Sequence, residues 1–229
     1  MPAEKTLDSR LLSALPYLSK DAVVADIGTD HAYLPIELIR RGLAVRAVAC
    51  DINRGPIERA EKNIEEAGLG DRIDTLLTDG LHGVEQFNPT DILIFGMGGE
   101  LIVRILSEAP WVKDPKIGLI LQPMSKAEVL REWLLREGFS ILGESVTHED
   151  QYYQTVYARF GGDATPYTEV ELFVGKHDLS NPPQELSGLL SRKAETLSSV
   201  IDGKRKGNIN TEAEERLLGG IRRMMEELK

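Results

Sequence analysis

The stretch Val23-Val24-Ala25-Asp26-Ile27-Gly28-Thr29-Asp30-His31-Ala32-Tyr33-Leu34-Pro35 constrains this chain more than any other part of it. It reads as a short apolar strand, a tight loop opened by a glycine, and the start of a helix. A second apolar strand, Ala47-Val48-Ala49-Cys50, ends at Asp51, 25 positions after Asp26. Strand, glycine loop, helix, strand and terminal carboxylate is the layout of a nucleoside-binding site on an open α/β sheet. The loop floors the ligand and the carboxylate holds ribose hydroxyls.

What the loop lacks narrows the ligand. A dinucleotide site uses three glycines so that backbone can approach a pyrophosphate. Here Gly28 stands alone, and Asp30 and His31 occupy places where glycines would be expected. A carboxylate repels a pyrophosphate but attracts a sulfonium or an ammonium. S-adenosylmethionine carries both cations and no phosphate, so the loop favours it over NAD or FAD. Asp30 also suits a helix N-cap, and one residue can serve both roles.

The totals fit this reading. Of 229 residues, 41% are hydrophobic and 28% charged, as in an ordinary globular protein. A net charge of −10 argues against a protein that coats nucleic acid through bulk charge, though a local basic face remains open. No apolar run approaches the roughly 20 residues of a membrane span, and the first residues lack a signal-peptide core. The single cysteine, Cys50, forms no internal disulfide, offers no cysteine-based metal site and reads as packing. No metal is expected, and a reducing cytoplasm is the expected home.

Strands and helices alternate along the chain. A helix is expected over Leu7–Leu18, then strands at Ala22–Asp26, Ala44–Cys50, Ile73–Leu77, Asp91–Phe95 and Ile117–Leu121. Helices between them are expected at Ala32–Arg41, Pro56–Ala67 and Glu100–Ser107, with Lys126–Arg136 after the fifth strand. The pattern implies an α/β fold with a parallel sheet covered on both faces. Phe139–Glu144 and Tyr152–Phe160 then read as two strands with no helix between, an antiparallel pair at the sheet edge. That ending is typical of class I S-adenosylmethionine-dependent methyltransferases, which are Rossmann-like, and not of dehydrogenases.

Gly161-Gly162 marks a linker, giving a methyltransferase domain over 1–162 and a helical, coiled-coil domain over 163–229. Leu186, Leu189, Leu190, Leu197 and Val200 stripe one helix. Leu217, Leu218, Ile221, Met224, Met225 and Leu228 stripe a second, opened by a Thr211–Glu214 capping box. The two are expected to bury each other as an antiparallel hairpin. Its 10 basic and 12 acidic side chains do not make it broadly basic.

Ligands bind at the carboxyl ends of strands in such sheets. Those ends carry Asp26 to His31, Asp51-Ile52-Asn53, Thr78-Asp79-Gly80-Leu81, Gly96-Met97-Gly98-Gly99 and Gln122-Pro123-Met124. Asp51 is the candidate for the ribose and Asp79 for the adenine amino group. Gly96, Gly98 and Gly99 permit close backbone approach beside the methyl donor, or simply form a tight turn.

Leu7-Asp8-Ser9-Arg10-Leu11, the Ala25–Pro35 run, Asp79-Gly80-Leu81, Gly96-Met97-Gly98-Gly99 and Gln122-Pro123 together resemble the bacterial tRNA adenine-22 N1-methyltransferase family. The likeness spans roughly residues 6–160, and the helical tail resembles that family's C-terminal coiled coil in architecture. The resemblance implies S-adenosylmethionine as donor and N1 of a tRNA D-arm adenosine as acceptor.

On that view Arg10 contacts the donor carboxylate or a phosphate, and Asp26, Gly28, Asp30, His31, Asp51, Ile52, Asp79, Gly80 and Met97 belong with the glycines to the donor site. Asp30 stabilises product charge. His31 orients the base or handles a proton, or only makes a helix-start hydrogen bond. Tyr33 and Gln122 are acceptor contacts; Tyr33, Tyr152 and Tyr153 are candidate stacking surfaces, or simply edge-strand or core residues. Lys204, Arg205 and Lys206 at the hairpin tip either grip tRNA or are simply solvated. A monomer is favoured. The alternatives are a methyltransferase acting on another RNA, a protein or a small molecule, and a non-catalytic adaptor that binds donor and RNA.

Overall fold

The computed structural model describes residues 8–163 and 165–228. Seven strands, β1 (Ala22–Ile27), β2 (Ala44–Asp51), β3 (Ile73–Leu77), β4 (Asp91–Gly98), β5 (Gly118–Ser125), β6 (Phe139–His148) and β7 (Tyr152–Phe160), form one sheet in the order β3-β2-β1-β4-β5-β7-β6. β1 to β5 run parallel, and β7 lies antiparallel to both β5 and β6. The strand order reverses between β1 and β4, which sets the ligand crevice beyond their carboxyl ends.

Period-two alternation in each strand builds two cores. On one face Ala25, Ile27, Cys50, Ile92 and Ile94 pack against α4 (Gly99–Ser107) and α5 (Ala127–Arg136). On the other, Val24, Ala47, Ala49 and Leu93 pack against α2 (Tyr33–Arg40) and α3 (Arg54–Glu66). Cys50 is fully buried, as expected of a packing residue, and burial pushes its thiol pKa up. α2 and α3 both stop at a left-handed glycine. Gly42 donates to Ile39 and Leu43 to Leu38, and Gly68 donates to Glu65 and Leu69 to Ile64. This is the Schellman pattern that satisfies the last carbonyls of a helix.

The expected opening helix is shorter than its periodicity suggests. α1 covers only Ser9–Leu12, a separate 3-10 turn follows at Leu15–Tyr17 around Pro16, and Leu7 lies outside the described residues. Proline in an interior turn removes a hydrogen-bond donor, which explains the break. β4 continues through Gly96-Met97-Gly98, because Met97 and Gly98 still pair with Pro123 and Ser125 of β5.

Three further helices follow: α6 (Glu169–Val174), α7 (Leu186–Lys206) and α8 (Glu212–Glu227). α6 was not expected. Thr168 accepts from the Glu171 amide while the Glu171 carboxylate accepts from the Thr168 amide, a complete capping box. The box expected at Thr211 and Glu214 is not formed. The Thr211 hydroxyl donates to Glu215, and Glu214 pairs with Lys204. α7 and α8 do pack together, yet Val200 is exposed and Ile201 is buried in its place. The tail core also takes in Val146 and Tyr152 from β6 and β7, so it packs on the sheet edge as well as on itself.

Candidate functional site

The strand register brings five tips to one level. Ile27 lies opposite Cys50 and Ile94, Asp51 opposite Leu77, and Phe95 opposite Gln122. Beyond β1 the amides of Gly28 and Thr29 both donate to the Cys50 carbonyl at 2.8 Å, tying the loop across the tip of β2. Gly28 has φ +80°, and a Cβ there would lie 2.3 Å from Met97 Cε. His31 (φ 101°) and Ala32 (φ 54°) are successive non-glycine residues with positive φ, a strained arrangement that concentrates at functional sites. The Asn63 side-chain Nδ2 donates to the His31 carbonyl at 2.9 Å and helps hold it. The His31 and Tyr33 rings stack with centroids 4.9 Å apart and planes 13° off parallel.

The crevice has two lobes that meet at Gly28. The larger, about 640 Å³, is lined by Arg10, Asp26, Asp30, His31, Tyr33 and Gly96 among others. The smaller, about 220 Å³, is lined by Asp51, Ile52, Asp79, Gly80 and Met97, together with Thr78. Asp51 accepts from the Asn53 amide at 2.7 Å, which fixes its carboxylate at the lobe. Ile52 is 59% exposed at the rim, an apolar side chain available to cover a flat ring. Asp26 is buried, and that burial raises its pKa to about 6 against the easing effects of Thr29 and Arg10.

A methyltransferase-domain family model matches residues 7–156. The chain is 36% identical over 173 residues to the tRNA (adenine(22)-N(1))-methyltransferase of Bacillus subtilis, covering 75% of this chain and 73% of the relative. The chain belongs to the tRNA (adenine(22)-N(1))-methyltransferase family. Two solved structures align along nearly the whole methyltransferase chain. A Streptococcus pneumoniae protein in complex with S-adenosyl-L-methionine is 30% identical with a TM-score of 0.84, covering 96% of this chain and 100% of that one. M. capricolum TrmK in complex with S-adenosyl-homocysteine is 28% identical with a TM-score of 0.81, covering 97% and 99%.

Within this methyltransferase several expected roles change. Asp30 does not cap α2; Ala32 holds the N-cap position without a side-chain bond. The Asp30 carboxylate is 68% exposed, paired with Arg59 at 2.8 Å and near His31 at 3.5 Å. Asp79 pairs with Arg104 at 3.1 Å. Gln122 has no exposed surface and is not placed to touch an acceptor; it holds Gly96 and Arg10 instead.

Gly98 and Gly99 line neither lobe. A Cβ on Gly99 would fall 2.3 Å from the Lys126 carbonyl oxygen, so this glycine serves the close approach of the β4 and β5 tips. Lys204, Arg205 and Lys206 form the last turn of α7 rather than a loop. Lys204 pairs with Glu214 at 2.6 Å and Arg205 with Glu215 at 3.0 Å, which leaves Lys206 as the exposed charge of the three without an ion pair among the described residues.

Tyr153 sits beneath the Arg10 guanidinium at 5.8 Å, whereas Tyr152 packs toward α7, where a Cβ on Gly188 would meet its hydroxyl. The sequence reading placed Thr78 at a strand tip and Asp8 in the first motif without giving either a role, and it missed Phe95, Leu101 and Arg104 as lining residues. Among the described residues no group of three or more His, Cys, Asp or Glu is arranged to hold a metal ion, and no helix is long and apolar enough to cross a membrane.

Proposed function

We propose that this chain methylates N1 of adenosine 22 in the D-arm of tRNA, with S-adenosylmethionine as donor. The observation that carries the reading is the two-lobed crevice meeting at Gly28, on the scaffold of a family of this activity. Its chemistry fits the donor at both ends. Asp51 offers a carboxylate to a ribose diol, and Ile52 offers an apolar cover for the base. Asp79 keeps acceptor capacity for an adenine amino group beside its pairing with Arg104. In the larger lobe Asp26 faces positive charge and Arg10 a carboxylate.

The donor supplies an electrophilic methyl group on a sulfonium. The acceptor N1 carries an in-plane lone pair, so no residue has to remove a proton before attack. The work of the protein is alignment. Positive charge moves onto the purine as the methyl transfers, and Asp26 and Asp30 are the carboxylates of the larger lobe that favour it there. N1 lies on the pairing edge, so the base must leave its stack to react. The parallel His31–Tyr33 rings give such a base a flat surface at the mouth of the lobe.

Residues 163–229 act as a second, helical domain that contacts tRNA. A tRNA acceptor places the enzyme in the cytoplasm, where it works as a monomer. The test is to incubate tRNA with enzyme and donor, digest it and map methylated nucleosides by mass spectrometry. The expected product is 1-methyladenosine at position 22, absent from tRNA carrying guanosine there. Methyl transfer only into protein or small acceptors, or donor binding without turnover, would overturn the reading.

A further inference from the structure

Gln122 is a fully buried amide whose oxygen serves the crevice wall, while its nitrogen is spent on its own strand, on the Pro123 carbonyl and on Met124 Sδ at 3.6 Å. Its Oε1 accepts from the Gly96 amide at 3.0 Å and from Arg10 Nη1 at 3.5 Å, while its Nε2 donates to the Pro123 carbonyl at 3.2 Å. One oxygen thus ties the turn at the tip of β4 to a guanidinium arriving from α1. Gly96 has φ +77°, and a Cβ there would lie 3.2 Å from Arg10 Nη1, so the same turn also leaves space for the guanidinium. Arg10 is held from its other sides by Asp8 at 3.6 Å and by the Tyr153 ring.

The charge balance of the larger lobe gives this arrangement its meaning. The acidic residues that line it are Asp8, Asp26 and Asp30, and Arg10 is the one permanent cation among its described lining residues. An amino-acid-bearing ligand presents both a cation and a carboxylate, and among the described lining residues only Arg10 matches the second, the nearby Arg59 being paired with Asp30 and not part of that lining. A planar guanidinium needs a fixed orientation to use its fork of donors. The buried amide supplies that orientation from behind.

We propose that Gln122 is a positioning residue which, through Arg10, makes the larger lobe selective for the carboxylate of the methyl donor. The inference rests on the reading of this crevice as the S-adenosylmethionine site. Gln122 itself touches no ligand.

The test compares calorimetric binding of S-adenosylmethionine with that of decarboxylated S-adenosylmethionine, which lacks only the carboxylate. The wild-type chain is expected to prefer the first by about tenfold or more, the worth of one charge-assisted hydrogen bond. Arg10→Ala abolishes the preference. Gln122→Met, of similar volume but without the oxygen, cuts it to about threefold or less, the loss of part of that bond, and has no further effect on the preference in an Arg10→Ala background. Should the Met variant fail to fold, Gln122→Asn withdraws the oxygen by one methylene and is read in the same way. A Gln122 variant that weakens both ligands equally has a merely structural role and overturns the proposal, as does an unchanged preference in Arg10→Ala. A wild-type chain that binds neither compound sinks the donor reading itself, whereas binding both without preference sinks only this inference.

Discussion

Asp26 carries a stability cost that the proposed donor site accounts for. Burial raises its pKa to about 6 from an ordinary 3.8, so folding favours the neutral acid over the carboxylate more than the unfolded chain does. Its contribution to stability is therefore fully present below pH 4 and is lost as pH rises through 6. A shift of that size corresponds to a penalty on the order of 3 kcal/mol at pH 8. Asp26→Asn should raise the melting temperature of the ligand-free protein at pH 8 and leave it nearly unchanged at pH 4. The same substitution should weaken donor binding if, as proposed, the ionised carboxylate faces the positive charge of the donor. Wild-type affinity for S-adenosylmethionine should fall about tenfold between pH 7 and pH 5, following the ionised fraction, and calorimetry on Asp26→Asn should show that dependence gone. Gly28 is constrained twice, by φ +80° and by Met97 Cε. Gly28→Ala should lose donor affinity by about tenfold or more, about 1–2 kcal/mol of backbone strain expressed at the site. Trimming Met97 to Ala in the same chain should not restore it, since the side chain can yield and the backbone angle cannot.

At the scale of elements, the strand tips were legible because each is a local statement. A short apolar run ending in Asp, Gly or Thr marks its own end, and β3 and β7 match their expected bounds to the residue. The same locality explains what was missed. The motif Thr168-x-x-Glu171 was as readable as Thr211-x-x-Glu214, but only the first has its backbone in an extended N-cap conformation. At the second, neighbouring charges compete: Lys204 takes Glu214 and Glu215 takes Thr211. Likewise no spacing rule reveals that Gln122 points inward, or that Arg59 reaches Asp30 across 29 positions. Such partners exist only once the register of β1, β4 and β5 and the seat of α3 are set. The two boxes give a direct comparison. Thr168→Ala should cost about 1 kcal/mol, the usual worth of an N-cap, and hydrogen exchange should show α6 opening more readily. Thr211→Ala should cost less in urea unfolding, since its hydroxyl holds a solvent-facing carboxylate and no helix-start amide.

At the scale of the whole molecule, the tail is joined to the sheet by a buried polar seam. Arg131 of α5 and Glu144 of β6 form an ion pair at 2.6 Å with side chains 0% and 2% exposed. Arg131 also donates to the Leu172 carbonyl at 2.8 Å, and Glu144 accepts from the Tyr167 hydroxyl and the Lys176 amide. Both ends of the segment around α6 therefore hang on this one pair, and Gln154 adds a bond to the Val174 carbonyl at 2.7 Å. A buried pair contributes little net stability over an apolar substitute, yet breaking it strands a charge. Glu144→Ala should cost about 3–5 kcal/mol on that ground, seen as a lower thermal midpoint with early loss of protection in α6 and α7. None of these residues lines either lobe of the crevice, so calorimetry should find donor affinity within about twofold of wild type at temperatures where the chain is folded, below the ~0.5 kcal/mol scatter of remote substitutions. Replacing both partners, Arg131→Met with Glu144→Leu, should recover most of the loss, because no charge is then left without a partner. A double variant no more stable than Glu144→Ala would mean that the seam works through the geometry of its hydrogen bonds to Leu172, Tyr167 and Lys176, and not through the pairing of its charges.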